Sequence, residues 1–135
     1  MSPLSPADEA ALRSLAARYA RGVDRRDRDL FLSAFAPDAV LTVPRHVMRG
    51  HDEISVVPEA IKRWETTFHF LGQSAYWPGP SAGTAGGEVY CVAHHWSERK
   101  GTWVMYIRYA DSYVRDGSSW LLASRRVITD HEESR

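Results

Sequence analysis

Several features that mark common functional classes are missing from this sequence. There is one cysteine, Cys91, so no disulfide can form within the chain. Lys and Arg together number 17, and so do Asp and Glu, so the formal net charge is zero. Nucleic-acid-binding proteins usually carry a basic surplus on one face. We therefore expect no nucleic-acid partner.

Long hydrophobic runs are also missing. The longest clearly apolar stretch is Trp103–Ile107, far short of the roughly 20 residues that span a bilayer. The first six residues contain no apolar run of signal-peptide length. We therefore expect a cytoplasmic protein with no membrane partner.

The motifs of cofactor-dependent enzymes are absent as well. The chain has no phosphate-binding glycine loop, no dinucleotide fingerprint, no His-Glu-x-x-His zinc motif and no nucleophile elbow. We expect no cofactor and no bound metal. The length of 135 residues, of which 44% are hydrophobic, fits a single domain covering residues 1–135.

The N-terminal part has the pattern of helices. Ser5 can cap a helix, Pro6 suits its first position, and Asp8 can complete a capping box. The apolar stripe that follows consists of Leu12, Leu15, Tyr19 and Val23, with Ala16 and Ala20 beside it. This spacing predicts one long helix that ends near residues 22–24.

Shorter elements follow the first helix. Asp27 can cap a second helix that reaches Phe35, with Pro37 as its stop. Residues 39–43 have the pattern of a strand, and 50–52 that of a turn. A third helical segment should carry Ile61 and Trp64.

The second half is rich in β-branched and aromatic residues. We predict strands at 68–77, 87–97, 102–114 and 120–129, and a frayed tail at 132–135. Helices followed by a strand meander indicate an α+β fold, with helices on one face of a curved antiparallel sheet. Such a sheet would enclose a pocket against the first helix.

Asp24 and His69 are candidates for acid–base chemistry. Asp24 lies near a helix C-terminus, where the dipole disfavours a carboxylate, so an arginine or an imidazole should compensate. The alternative is a solvated acid in the charged run 24–29. His69 lies between Phe68 and Phe70 on a strand, so its side chain faces away from theirs. A buried neutral imidazole suits a general base, and the alternative is a hydrogen-bonded core histidine.

Two further histidines are adjacent in the chain. On a strand, His94 and His95 point to opposite faces, so only one of them can line the pocket. The pattern of residues leaves open which one does. A carboxylate and two imidazoles are sufficient to move protons at neutral pH.

Polar residues of the last two strands are candidate ligand contacts. Tyr106 and Tyr109 lie on opposite faces of one strand, and Asp111 shares a face with Tyr109. Either tyrosine could donate a hydrogen bond to a substrate carbonyl. One of Arg125 and Arg126 should face inward, where it would hold an anionic substrate or neutralise Asp111.

Motifs along nearly the whole chain resemble one family. They are the stretches 19–29, 35–40, 50–54, 69–72, 92–95, 108–111 and 120–127. In order and spacing they are similar to SnoaL-like proteins of the nuclear-transport-factor-2-like superfamily. The resemblance implies a cone-shaped α+β barrel, in which a curved antiparallel or mixed sheet wraps around a long N-terminal helix. It also implies a homodimer.

Within this family the chain most resembles scytalone dehydratase and its relatives. The resemblance places their catalytic aspartate on Asp24 and their two histidines on His69 and His94. It implies that Asp24 pairs with His94, which would face inward in place of His95. Two tyrosines of such dehydratases fall on Val23 and Val43, and a serine and an asparagine fall on Ile107 and Tyr109. These departures indicate a more apolar ligand.

The residues and the resemblance together predict a cofactor-independent lyase or isomerase of dehydratase, isomerase or cyclase type. Its substrate would be a small apolar carbonyl or hydroxyl compound such as a polyketide, steroid or terpenoid. The candidate catalytic residues are Asp24, His69 and His94. The candidate substrate-binding residues are Tyr19, Val23, Val43, Tyr106, Ile107, Tyr109 and Asp111. The alternatives are a non-catalytic ligand-binding or dimerisation module, and an epoxide hydrolase or cyclase that uses the same pocket.

Overall fold

The computed structural model describes residues 3–135. Its helices are α1 (Pro6–Asp24), α2 (Arg28–Leu32), α3 (Gly50–Ile54) and α4 (Val56–Ala60), followed by a 3₁₀ turn at Ile61–Arg63. Its strands are β1 (Phe35–Val43), β2 (His46–Arg49), β3 (Thr66–Pro78), β4 (Thr84–Ser97), β5 (Gly101–Asp116) and β6 (Ser119–Ser134). The order of elements confirms the predicted α+β class.

The strands form one curved, mixed sheet in the order β2-β1-β6-β5-β4-β3. Neighbouring strands are antiparallel except β1 and β6, which run parallel. The sheet is not closed, and β2 and β3 are its edges. This agrees with the predicted curved sheet and first helix, while the barrel remains open.

Helix α1 packs its apolar stripe on the inner face of the sheet. The predicted capping box is present, since the Ser5 hydroxyl accepts from the Asp8 N–H and the Asp8 carboxylate accepts from the Ser5 N–H. Leu12 and Leu15 are fully buried, and the Tyr19 ring lies edge-on 5.3 Å from the ring of Tyr109. The helix is therefore fixed at its start by the cap and along its length by the core.

Helix α2 is shorter than the sequence predicts. Asp27 caps it as expected, by accepting from the Leu30 N–H, but the helix ends at Leu32. Phe35 already belongs to β1, because the carbonyl of the preceding Ala34 accepts from Leu122 of β6. Pairing with a long central strand thus overrides the helical pattern.

The third helical segment and the tail also differ from the predictions. The predicted turn at 50–52 is the start of α3, and strand β2 was not predicted. Trp64 is extended, not helical, and follows the 3₁₀ turn. The tail is not frayed, because β6 pairs with β5 as far as Ser134, and the backbones of Thr102 and Arg135 exchange two hydrogen bonds.

Within residues 3–135, no helix is both long enough and apolar enough to cross a membrane.

Candidate active site

The carboxylate of Asp24 is bonded to His69. Asp24 Oδ1 lies 2.7 Å from His69 Nδ1, and Asp24 Oδ2 accepts from the His69 backbone N–H at 2.8 Å. Burial raises the pKa of Asp24, but the hydrogen bonds and charge of His69 outweigh burial, and the net shift is downward. An ionised carboxylate can only accept, so His69 Nδ1 carries a proton, and in the neutral ring Nε2 has the free lone pair.

A threonine and an arginine hold this carboxylate in place. The Thr67 hydroxyl donates to Asp24 Oδ1 at 2.9 Å and accepts from Arg26 Nη1 at 3.0 Å. Arg26 also donates to the backbone oxygens of Asp24 and Trp64. Arg26 has a left-handed backbone with φ of 54°, which is unfavourable for a residue with a side chain. The result is a relay from arginine through threonine and aspartate to histidine.

His95 is the second imidazole of the site. Its ring centroid lies 6.1 Å from that of His69, and the residue is only 3% exposed. Its Nδ1 lies 3.1 Å from the carbonyl oxygen of Trp103, which can only accept, so Nδ1 carries the proton and Nε2 is an acceptor. Burial lowers the pKa of His95 to about 4, which keeps this ring neutral at physiological pH.

Both imidazoles line a cavity of about 850 Å³ between the sheet and α1. This volume lies in the range of small-molecule sites. Its wall is mainly apolar and aromatic: Tyr19, Val23, Val43, Val57, Ile61, Trp103, Met105, Ile107, Tyr109 and Val127, with Thr129 beside them. Five of the candidate substrate-binding residues therefore line the cavity: Tyr19, Val23, Val43, Ile107 and Tyr109.

An ion pair lies beneath the two cavity tyrosines. Arg125 donates to both oxygens of Asp111 at 2.8 Å, and both side chains are fully buried. The Arg125 guanidinium lies 4.5 Å from the ring centroid of Tyr19 and 3.9 Å from that of Tyr109. Burial raises the pKa of Tyr19 to about 12 and raises the pKa of Tyr109 well above its usual value, so both hydroxyls stay protonated.

Three predicted site residues do not take their expected places. His94 is on the outer face of the sheet, where it stacks on Trp96 at 5.2 Å, so the expectation that it faces inward and pairs with Asp24 is wrong. Tyr106 is also on the outer face and donates to Glu133. Asp111 does face inward, but Arg125 and Tyr113 occupy its oxygens. Of the two functions suggested for an inward arginine, Arg125 performs the neutralisation of Asp111.

Several site residues were not found from the sequence. The alternation rule left His95 and His94 equivalent, and only the resemblance favoured His94. Thr67 gives a signal in retrospect, since it lies two residues before His69 and so shares its face. Arg26 gives none, because its contacts depend on a rare backbone conformation. Thr129 lines the cavity with a buried hydroxyl that has no hydrogen-bond partner in the described structure.

No group of three or more His, Cys, Asp or Glu side chains within residues 3–135 is arranged to hold a metal ion. Cys91 is buried in the core, and burial raises the pKa of its thiol to about 11. A thiol with this pKa is a poor nucleophile at neutral pH.

Solved structures with the same fold cover almost all of the chain. A candidate scytalone dehydratase from Novosphingobium aromaticivorans has a TM-score of 0.85 and 17% identity over 96% of this chain and 88% of its own. The hexachlorocyclohexane dehydrochlorinase LinA-type3 from Novosphingobium barchaimii gives 0.85 and 19% over 96% and 90%. A candidate aromatic ring hydroxylase from Novosphingobium aromaticivorans gives 0.88 and 20% over 98% and 96%.

No curated protein sequence matches this chain. The model of the SnoaL-like domain matches residues 5–126, which is most of the chain and includes both cavity histidines and Asp24. The chain therefore belongs to the SnoaL-like domain family.

Proposed function

We propose that this protein is a cofactor-independent acid–base enzyme that removes a proton next to a carbonyl group and expels a neighbouring hydroxyl. The observation that carries the proposal is the Asp24–His69 hydrogen bond at the wall of an apolar cavity. A carboxylate that fixes the tautomer of an imidazole and stabilises its charged form is a general means of activating a base.

His69 would act first as the base. Its Nε2 takes the proton from the carbon next to the carbonyl, and the electron pair of that C–H bond moves into an enolate. The resulting imidazolium is stabilised by the ionised Asp24, whose carboxylate is held by Thr67 and the backbone of His69. A general base of this kind contributes about a hundred- to ten-thousand-fold in rate.

The same imidazolium would then act as the acid. The enolate collapses, the bond from carbon to the hydroxyl oxygen breaks, and His69 returns its proton to that oxygen, so water leaves. His95 stays neutral at physiological pH, so it cannot donate this proton. Its Nε2 instead accepts a hydrogen bond from the departing hydroxyl and orients it. An isomerase would follow the first step with return of the proton to a different carbon.

The two cavity tyrosines would stabilise the enolate oxygen. Tyr19 and Tyr109 both line the cavity, and their hydroxyls remain donors because burial raises their pKa values. Hydrogen bonds aimed at a developing oxyanion in a water-poor site are among the largest contributions to catalysis. The apolar wall suits the polyketide-, steroid- or terpenoid-like compounds suggested by the sequence.

The names of two similar structures, a dehydratase and a dehydrochlorinase, both denote the loss of a proton and a leaving group. Identities below 25% establish only the fold. The Asp24–His69 pair can remove a proton and return it to a leaving group, as an elimination requires. The two names support this reaction type.

The proposal can be tested before the natural substrate is known. The protein is incubated in D₂O with a panel of apolar hydroxy ketones, and NMR follows deuterium uptake next to the carbonyl and the loss of water. We expect at least one compound to react, and His69→Ala and Asp24→Asn to lower its rate by about a hundredfold or more. His94→Ala is the matched control, because this histidine lies outside the cavity, and it should keep the wild-type rate.

Turnover that survives in both His69→Ala and Asp24→Asn would overturn the proposal. Equal losses in His69→Ala and His94→Ala would also do so, because the effect would then not depend on the cavity.

A second candidate function, assembly, is favoured by the outer face of the sheet. We propose that the chain forms a homodimer through this face. Five exposed aromatic side chains lie on it: Phe68, Phe70, Tyr90, Trp96 and Tyr106. Phe70 pairs across strands with Val92, and Val92 pairs with Tyr106, so the patch is continuous from β3 to β5.

The area and the charges of this patch suit a second copy of the chain. Five aromatic side chains, each of about 200 Å² and half exposed, present roughly 500 Å². A standard interface buries about 800 Å² per partner, so these five side chains alone would supply more than half of one. The nearby charges are already compensated, since Arg108 bonds to Asp130 at 2.7 Å and lies 3.4 Å from Glu88. Little repulsion therefore opposes the approach of an identical face.

Sedimentation of the wild type and of Phe70→Ser measures this assembly. We expect a dimer that becomes a monomer on substitution, while Val47→Ser, which changes an exposed apolar residue of β2, leaves the dimer intact. A monomeric wild type at 100 µM, roughly the limit of a weak specific contact, would overturn the proposal.

A further inference from the structure

The turn between β1 and β2 carries an arginine where the backbone favours glycine. Val43 pairs with His46, so Pro44 and Arg45 form a two-residue turn. Arg45 has φ of 73°, and residues other than glycine adopt this region at a cost of about 1 kcal/mol or more. Within residues 3–135, the only other non-glycine residue with positive φ is Arg26, which holds the Asp24–Thr67–His69 relay.

Arg45 lies at the entrance of the cavity. It is exposed, and it contributes to the cavity wall together with Pro44 and Val43. No ion pair or side-chain hydrogen bond of Arg45 is formed within residues 3–135. Strained backbone positions occur preferentially at binding and catalytic sites. An unpaired cation at such a position beside a ligand cavity is more typical of a binding site than of a structural one.

A second arginine reaches the same entrance from another element. Arg63 ends the 3₁₀ turn, is exposed, and lines the same cavity as Arg45. It has no ion pair within the part of the chain that the structure describes. Its charge is close enough to contribute to the lowering of the pKa of His95, after the larger effect of burial. Arg63 therefore lies within electrostatic reach of the catalytic end of the cavity.

The acidic residues at the entrance do not cancel these two cations. Asp130 is bonded to Arg108 through both oxygens, at 2.7 and 2.9 Å. Glu132 accepts from the indole N–H of Trp103 at 3.2 Å and is the one carboxylate of the rim without a cationic partner within residues 3–135. His131 also lines the rim, where it lies 3.7 Å from Glu133. Within residues 3–135, the rim therefore has two arginines without an ion pair, Arg45 and Arg63, and one such carboxylate, Glu132.

We infer that the ligand is an apolar carboxylate, with its hydrocarbon body inside the cavity and its carboxylate at the entrance between Arg45 and Arg63. The inference rests on the proposed function, since it names the substrate class of the same site. Guanidinium groups bind carboxylates through parallel N–H···O bonds, and the apolar wall accounts for the remainder of the ligand. The ligand would enter with its uncharged end first, towards His69 and His95.

Isothermal titration of the intact protein with two probes of equal shape, 2-naphthoate and 2-naphthamide, tests this inference. We expect the carboxylate to bind about tenfold more tightly than the amide at low salt, and this preference to shrink at 0.5 M salt, where charges are strongly screened. Arg45→Gln and Arg63→Gln should each weaken naphthoate binding about three- to tenfold and leave naphthamide binding unchanged. Arg99→Gln, an exposed arginine of the β4–β5 turn, is the matched control and should alter neither probe.

Equal affinity for the two probes, no measurable binding of naphthoate, or parallel losses for both probes in the arginine variants would overturn the inference. The measurement is independent of turnover. A failure of the acid–base proposal in the D₂O assay would therefore leave this result intact, and the converse also holds.

Discussion

The two faces of strands β3, β4 and β5 contain similar residues and have opposite properties. His95 faces inward, is buried and lines the cavity, whereas its neighbour His94 faces outward and stacks on Trp96. Thr67 faces inward and bonds to Asp24, whereas Thr66 is exposed. The difference lies in the neighbours of each side chain. The role of a histidine or threonine in this sheet therefore depends on its burial and its hydrogen-bond partners more than on its residue type.

The ion pairs of the two faces differ in the same way. Asp111 and Arg125 on the inner side are fully buried, and Tyr113 adds a hydrogen bond to Asp111 Oδ2. Burial alone would lower the pKa of Arg125, but the carboxylate of Asp111 outweighs burial and the net shift is upward. Arg108 on the outer face and its partner Asp130 at the cavity rim are only partly buried, with 33% and 46% of their side-chain surface exposed. Two ion pairs of similar geometry should therefore contribute differently to the free energy of unfolding.

The largest effect should come from breaking the inner ion pair. Asp111→Ala leaves the charge of Arg125 buried without a partner, and we expect the free energy of unfolding to fall by about 3–5 kcal/mol. Denaturant titration measures this loss. Asp130→Ala, which removes the outer partner of Arg108, should change the unfolding midpoint little, because water solvates both groups.

A double substitution keeps this prediction testable if Asp111→Ala fails to fold. Replacing both partners by apolar residues of similar volume, as D111L/R125M, removes the buried charges together and should recover most of the lost stability. A double variant as unstable as Asp111→Ala would show that the pair itself is not the cause.

The next effect concerns the pH dependence of stability. The pKa of His95 is about 4 in the folded protein and 6.5 in the unfolded chain, so the unfolded chain binds the proton more readily. Stability from the neutral ring is fully present above pH 6.5 and is lost as the pH falls from 6.5 to 4. The loss amounts to about 3 kcal/mol for this difference in pKa.

Thermal unfolding between pH 4 and 7 measures this dependence. His95→Gln removes the titrating group and should flatten the decline, whereas His94→Gln, which changes the outer neighbour, should leave the slope unchanged. Identical slopes for the wild type and His95→Gln would mean that this imidazole does not titrate far below its usual range.

The sequence predicted those parts of the molecule that local patterns determine. The cap at Ser5, the length of α1 and the opposite orientations of His69 and its two neighbouring phenylalanines follow from spacing alone. The choice between His94 and His95 could not be made locally, because strand alternation only separates them. It depends on which face of β4 lies against α1, a property of the whole sheet. Pairing with β6, which is distant in the chain, likewise shortened α2.

The smallest predicted effect comes from removing the Thr67 hydroxyl, which links Arg26 to Asp24 in the relay. Thr67→Val keeps the shape of the side chain but removes the hydroxyl that donates to Asp24 and accepts from Arg26. Two polar partners lose one hydrogen bond each, so we expect a loss of about 1–2 kcal/mol of stability. The pKa of Asp24 should rise, because one of the hydrogen bonds that lower it is removed. The stability that ionised Asp24 provides would then be lost at a higher pH during acidification.

NMR titration of the Asp24 carboxyl carbon measures this rise, and Thr66→Val provides the internal control. Thr66 precedes Thr67 and is exposed, so its substitution should change stability by no more than about 0.5 kcal/mol and leave the pKa of Asp24 unaltered. If Thr66→Val shifts the Asp24 titration as much as Thr67→Val does, the distinction between the two faces fails at this point. If only Thr67→Val shifts it, the hydrogen-bonded relay, and not the mere proximity of the strand, sets the charge state of the carboxylate that orients His69.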